Sequence, residues 1–276
     1  MNLKHTLSLS GLTGGLLVAV PFLAGIIAIW WTPYDTSAMD FMHRFAPPSS
    51  SHWLGTDDFG RDVLSRLMAG ALISITIALE TMIAASILGA ILGAMAGYFR
   101  GFFERVMNVV TNALLAFPGI MLALGVTMAL GQDRVGLVTA LTLAFTPSIY
   151  RVVRGSTLSV SRREFVEASK LMGNSSARTL VRHILPNCMS PLVVIASSVF
   201  GWAILSESAL SFLGMGVAPP AASWGNMLAS ARPYMATDAW LAILPGVSIA
   251  MVLLGVNLIG DALRDRFDPR TKAARA

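Results

Sequence analysis

Charged residues are scarce in this sequence: Asp, Glu, Lys and Arg make up 13% of its 276 residues, whereas 55% are hydrophobic. Soluble globular domains carry about 25% charged residues, so the scarcity of charge excludes an ordinary soluble domain. The composition indicates instead a protein that crosses a membrane several times. The formal net charge of +5 is the sign expected of basic membrane loops, and nucleic-acid binding is not expected.

Cysteine is almost absent, and a single residue, Cys188, excludes an intrachain disulfide framework and a cysteine-rich metal site. The dipeptide Gly-Lys does not occur, so the phosphate-binding loop GxxxxGKS/T is missing. The chain is therefore not expected to hydrolyse ATP, to bind a cofactor or to hold a metal.

The sequence is rich instead in long apolar runs. Six of them approach the roughly 20 residues that a helix needs to cross about 30 Å of hydrocarbon. They predict an all-α integral membrane protein with six transmembrane helices, and Pro118 is predicted to kink the third. The predicted spans are 12–31, 73–98, 106–130, 135–153, 191–210 and 240–260.

Basic residues lie mostly on one side of these spans. Fifteen lysines and arginines fall on the side of the N-terminus and five on the other, which accounts for all twenty. Because basic loops stay inside, both termini are predicted to be cytoplasmic. We divide the chain into a first helix with an outer segment (1–72), a transmembrane core (73–264) and a cytoplasmic tail (265–276).

The longest inner loop, residues 154–190, predicts two short helices. Ser161 and Glu164 have capping-box spacing for the first helix, which Gly173 would end in a left-handed conformation. Ser175 or its neighbour would cap the second, which is predicted to stop at Pro186.

One face of the first short helix is predicted to carry Phe165, Ala168, Ser169 and Met172, by their spacing. A face of small and apolar residues suits a partner protein. The alternative is a helix that lies on lipid headgroups or packs against its own spans.

The outer stretch 52–67 concentrates charge between two apolar runs. Asp58, Asp62 and Arg66 follow one another at i, i+4 spacing, which predicts a helix in which Asp62 pairs with Arg66. One interpretation is a helix that lies at the membrane surface with its charges in water. The other is that exposed Asp57 and Asp58 contact a partner.

Two acids fall within apolar spans, Glu80 and Glu207. Because a carboxylate in the membrane is costly, each is predicted to face the protein interior or a water-filled path. The alternative for both is a position near the membrane boundary. Trp224, in the turn-rich segment 211–239, is predicted to be an interfacial anchor.

The inner loop resembles a known family. "EASKLMGNSSARTLVRHILP" is similar to the EAA loop of ABC-importer permeases, in which EAA, glycine, isoleucine and Leu-Pro follow at fixed spacing. Ser169 replaces the third small residue, and His183 stands where the pattern has isoleucine, with Ile184 one place later. The matching residues are Glu167, Ala168, Gly173, Leu185 and Pro186.

Three further blocks support this resemblance. "HWLGTDDFGRDVLSRLMAGA", "FLGMGVAPPAASWGNML" and "NLIGDALRDRFDPR" resemble the C-type permease subunit of dipeptide, oligopeptide and nickel importers. The resemblance extends from about residue 33 to 270 and implies the type I ABC importer permease fold.

The resemblance also implies a role for each block. The EAA loop would be a coupling helix that docks on a cytoplasmic ATPase, and the outer charged stretch would dock a binding protein or shape a gate. The implied docking or gate residues are Asp57, Asp58, Gly60, Arg61, Asp62 and Arg66.

The implied partners are a second homologous permease, two ABC ATPase subunits that bind ATP and magnesium, a periplasmic or lipid-anchored substrate-binding protein, and membrane lipid. The expected location is the inner membrane. The expected cargo is a di- or oligopeptide, with nickel or a metal chelate as the alternative. A proton-driven secondary transporter using Glu80 and Glu207 is a further alternative.

Overall fold

The structure, a computed structural model, describes residues 9–218 and 220–267, and apart from one isolated bridge the regular secondary structure of this part is helical. Ten α-helices follow one another, and a π-helical turn at Leu180–Ile184 joins the seventh to the eighth. The helices are α1 Leu9–Ile27, α2 Val63–Phe99, α3 Gly101–Ala116, α4 Gly119–Leu130, α5 Arg134–Val160, α6 Glu164–Leu171, α7 Ser176–Thr179, α8 Leu185–Phe212, α9 Trp224–Ala231 and α10 Trp240–Phe267.

Five continuous helical segments are long and apolar enough to cross a membrane. Helices α3 and α4, with 16 and 12 residues, are each too short to be a candidate alone, and they give a sixth span only if the pair, bent by 96°, is one span. Phe117 between them is extended, with φ −91° and ψ 139°, since a residue before proline avoids the helical region. Five of the six predicted spans are therefore present as continuous helices, and the third, predicted to be kinked, is a broken pair of shorter helices.

Several span boundaries differ from those predicted. Helix α2 begins at Val63, ten residues before the predicted start, because the Asp62 side chain accepts a hydrogen bond from the Ser65 amide and caps the helix. The stop predicted at Pro186 is wrong. Pro186 lies in the first turn of α8, directly after the π-helical turn, and the helix continues through it to Phe212.

Glycines set the central packing between α2 and α5. Gly89, Gly93 and Gly97 lie four residues apart on one face of α2, and a Cβ on each would come within 2.9 Å of α5. Small residues at this spacing let two membrane helices approach closely. Helix α2 also contacts α8, and α1 packs against α10.

The helix ends form two faces. The first face carries residues 28–62 and 213–239, which touch where the rings of Phe45 and Tyr234 pack edge to face with their centroids 4.8 Å apart. The second face carries residues 161–184, between α5 and α8.

Candidate functional site

The loop on the second face is a helical hairpin made of α6 and α7. Gly173 joins the two helices at φ +75°, as predicted, and the Ser175 hydroxyl caps α7 by accepting from the Arg178 amide at 3.3 Å. The predicted capping box is wrong, because Ser161 ends α5 and Arg163 precedes α6 without a side-chain cap.

Ser169 holds the hairpin together from inside. Its side chain is buried, and its hydroxyl lies 3.2 Å from that of Thr179 and accepts from the Asn174 side-chain amide at 3.2 Å. Ser169 therefore does not share an outward face with Phe165, Ala168 and Met172, as its spacing had predicted. Val166 is the other buried residue of α6.

The outward side of α6 lies opposite these two buried residues. Its positions follow i, i+3, i+4, i+7 spacing and include Leu171, 89% exposed, which sequence reasoning had missed. Met172, just beyond the helix, is 72% exposed. The surface offers apolar side chains beside two carboxylates, and its residues are Glu164, Glu167, Ala168 and Leu171.

The end of the EAA-like segment explains its departure from the family pattern. Ile184 is fully buried, whereas His183 is only partly buried. A π-helical turn contains an extra residue relative to an α-helix, so the turn at Leu180–Ile184 moves the buried position one residue along the chain. Leu185 is half-buried and Pro186 exposed.

On the first face, Asp57 is the centre of a buried ionic cluster. Its carboxylate lies 2.7 Å from Arg61 Nε and 3.5 Å from Arg66 Nε. The other carboxylate oxygen accepts from the amides of Phe59 and Arg61 at 2.9 and 3.0 Å. Asp57 is 7% exposed, so the predicted exposure of this residue is wrong.

Asp62 belongs to a second cluster. It accepts from the Ser65 amide and hydroxyl at 2.8 and 2.7 Å, and His52 Nδ1 lies 3.0 Å away. Arg66 instead donates to the carbonyl of Thr36 at 3.1 Å and faces Asp57. The predicted Asp62–Arg66 pair is therefore wrong, because residues 58–62 form a turn before the helix begins.

Gly60 and Asp58 complete the turn. Gly60 has φ +73°, and a Cβ there would collide with the carbonyl oxygen of Asp40, so only glycine fits. Burial raises the pKa of Asp58 above its usual range, and the neighbouring charge of Asp57 raises it further. The stretch is thus a folded turn held to α2 and to residues 36–44, not a solvated helix.

The two acids of the spans lie in different surroundings. Glu80 is paired with Arg134, with Arg134 Nη2 2.6 Å from Oε1, and both side chains are nearly half exposed. Glu207 has no exposed surface, in agreement with the predicted interior position. Trp224 is 1% exposed, so it is not the interfacial anchor that was predicted.

A row of polar contacts joins α3 to α5 and was missed from the sequence. Arg154 Nε donates to Glu104 at 2.8 Å, the Tyr150 hydroxyl donates to Asn108 at 3.0 Å, and Arg151 donates to Asn112 at 2.9 Å. The sequence does contain a signal for this row: the polar residues at 104, 108 and 112 recur every four residues in an otherwise apolar stretch.

An apolar groove of about 500 Å³ opens between α4, α8, α9 and α10. Phe212 and Leu213 lie at its α8 end and Leu228 at its α9 side, while Gly246 and Ile249 contribute from α10. Ser208 is its one polar lining residue, and the Ser208 hydroxyl also reaches Glu207 at 3.3 Å.

Comparisons with known proteins agree with this architecture. Residues 89–273 match the family described as binding-protein-dependent transport system inner membrane component. A putative peptide transport system permease protein of Brucella suis is 44% identical over 94% of this chain and 87% of its own length.

Two further relatives are similar over comparable lengths. A dipeptide transport system permease protein of Alkalihalophilus pseudofirmus is 37% identical over 94% of this chain and 86% of its own length. A glutathione transport system permease protein of Escherichia coli is 37% identical over 95% of this chain and 86% of its own length. The chain therefore belongs to the binding-protein-dependent transport system inner membrane components, the permease subunits of type I ABC importers.

Proposed function

We propose that this chain moves di- or oligopeptides across the inner membrane as one subunit of an ABC importer. The supporting observation is similarity over 94% of the chain to permeases named for peptide and dipeptide transport. The glutathione system fits the same cargo class, because glutathione is itself a short peptide. Nickel and proton-driven transport are not favoured, since the relatives described above are ABC permeases named for peptide cargo.

Cargo is tested by uptake in cells that lack this chain and regain it from a plasmid. We expect ATP-dependent uptake of a labelled dipeptide to return with the chain, while uptake of radiolabelled nickel does not change. Restoration of nickel uptake without peptide uptake would overturn the cargo assignment.

We propose that the second face is cytoplasmic and the first face extracytoplasmic, with both termini inside. Arg162, Arg163, Lys170, Arg178 and Arg182 support this orientation, because all five lie in the second-face loop and are exposed there. Labelling of single cysteines by a membrane-impermeant maleimide in intact cells would test it: a cysteine at Trp53 should react and one at Ala177 should not.

The outward side of α6 is proposed to dock on an ATPase subunit. Leu171 offers an exposed apolar side chain, Ala168 allows close approach, and Glu167 offers a carboxylate to basic groups. Ser169 acts from inside by holding α6 against α7. This chain then carries no catalytic group, and ATP and magnesium bind to the partners. The proposed assembly has a second permease, two ATPase subunits and a substrate-binding protein.

Glu167→Arg and Gly173→Pro test the docking. In the assembled transporter in proteoliposomes, both changes should reduce peptide uptake per ATP hydrolysed while the chain still inserts. Arg162→Glu is the matched control, because it reverses an exposed charge that lies before α6. Normal uptake in Glu167→Arg and Gly173→Pro, or equal loss in the control, would contradict the assignment.

The first-face segment is proposed to receive the binding protein through exposed apolar side chains rather than through the ionic cluster. Met42 and Trp53 are 89% and 64% exposed, whereas the cluster around Asp57 supports the turn from beneath. Met42→Glu should weaken stimulation of ATP hydrolysis by the loaded binding protein and leave basal hydrolysis unchanged. Unaltered stimulation would remove this residue from the proposed surface.

A further inference from the structure

Glu207 is a buried acid that lies among four serine hydroxyls. Its carboxylate accepts from Ser211 at 2.8 Å and from Ser208 at 3.3 Å, both on α8. The hydroxyls of Ser74 on α2 and of Ser223 before α9 lie on the other sides of it. Hydroxyl donors from three parts of the chain thus converge on one carboxylate.

Two of these hydroxyls connect Glu207 to the start of α9. The Ser74 hydroxyl accepts from the Trp224 amide at 3.2 Å, and the Ser223 hydroxyl accepts from the Asn226 amide at 3.1 Å. A hydroxyl can accept one hydrogen bond while donating another. Two amides of the first turn of α9, which have no partner within the helix, therefore bond to two serines that lie against the same carboxylate.

Helix α9 fits this position closely. A Cβ on Gly225 would lie 2.5 Å from Ser211 Cβ and 2.8 Å from the Ser208 backbone. The Trp224 indole donates to the carbonyl of Leu67 at 3.1 Å. The backbone contact, the indole bond and the two amide-to-serine bonds all depend on one position of α9, so the helix cannot shift without breaking them.

The remaining sides of α9 meet the groove and the ionic cluster. Leu228 lines the apolar groove, and Met227 and Ala231 border a small cavity that Asp57 and Arg66 also line. Movement of α9 would therefore change both the mouth of the groove and the support of the first-face segment.

We propose that Glu207 is a positioning residue that holds α9 in place as the gate at the extracytoplasmic end of the groove. This assignment rests on the proposed transport function, and it gives Glu207 a role that requires no contact with cargo. Serine hydroxyls suit a gate, because they are neutral donors, and a carboxylate can exchange one such donor for another without separating an ion pair.

Thiol labelling of Met227→Cys tests the proposal in the assembled transporter without cargo. The side chain at this position is 8% exposed, so the thiol should react slowly while α9 is held. In the Met227→Cys protein, the further change Glu207→Gln places an amide N–H donor against hydroxyls that also donate. The further change Ser223→Ala removes one of the two hydroxyls between Glu207 and α9. Each should raise the labelling rate at least about tenfold and lower peptide uptake per ATP hydrolysed.

A shared network also predicts non-additivity, because both changes break it. The double change should label no faster than the faster single change. Glu80→Gln is the matched control and should label as the parent does. If the ATPase subunits co-purify with a variant, that variant is folded. If Glu207→Gln does not accumulate in the membrane, Ser223→Ala alone tests the proposal.

Two results would overturn the proposal: labelling at the parent rate in the variants, or effects that simply multiply in the double change. Because labelling needs no cargo, a failure of peptide uptake in the parent would count against the proposed function alone.

Discussion

The ionic cluster at Asp57 makes a quantitative prediction for Asp57→Asn. The side chains of Asp57, Arg61 and Arg66 are at most 10% exposed, so the change leaves two guanidinium groups buried without their shared carboxylate. Removing one partner of a buried ion pair costs about 3–5 kcal/mol. At about 1.4 kcal/mol per factor of ten, local opening of the turn should become roughly 100- to 4,000-fold more frequent.

Hydrogen exchange measures this opening directly. The amides to follow are those of Asp57, Gly60 and Val63, which bond to the carbonyls of Arg61, Asp57 and Gly55. Their exchange should accelerate in Asp57→Asn, while amides in the middle of α2 should not change.

Asp58→Asn is the matched control for this prediction. Burial and the charge of Asp57 raise the pKa of Asp58, so the folded turn favours its protonated form. The raised pKa contributes stability at low pH that is lost as the pH rises through it. At pH 7 the neutral asparagine should therefore leave exchange unchanged or slow it. Acceleration below tenfold in Asp57→Asn, or equal acceleration in the control, would refute the argument.

Three further predictions concern the hairpin of α6 and α7 and two ion pairs. Gly173→Ala forces a side chain into the left-handed region without any clash, at about 1–2 kcal/mol. Gly173→Ala should lower ATP-driven uptake more than Gly173→Asn does, since asparagine tolerates the left-handed conformation. Equal uptake in the two variants would contradict this prediction. A double-mutant cycle of Glu104→Gln and Arg154→Gln in thermal unfolding should show coupling of about 0.5–3 kcal/mol, and additive effects would disprove the contact. The exposed Glu80–Arg134 pair should contribute under about 1 kcal/mol, so Glu80→Gln should unfold at nearly the parent temperature; a large shift would contradict this.

The sequence alone determined the features that depend on composition and local order. Apolar runs specify membrane helices wherever they occur in the chain, because hydrocarbon requires every backbone group to bond within its own segment. Gly173 was predicted correctly, and Ser175 was one of two predicted caps, because a left-handed residue and a helix cap act on their immediate neighbours. The four motif blocks likewise indicated the family, which the match over residues 89–273 confirms.

Only the tertiary structure decided which polar groups meet. Asp62 and Arg66 have the spacing of a helical pair, yet the helix starts after Asp62, and more distant partners, Thr36 and His52, bond to them instead. Glu207 lies beside Ser74 and Ser223 only because α2 and α9 pack against α8. Spacing along one helix carries no information about side chains that arrive from another, and in an apolar interior each buried polar group takes whichever partner the packing brings within reach.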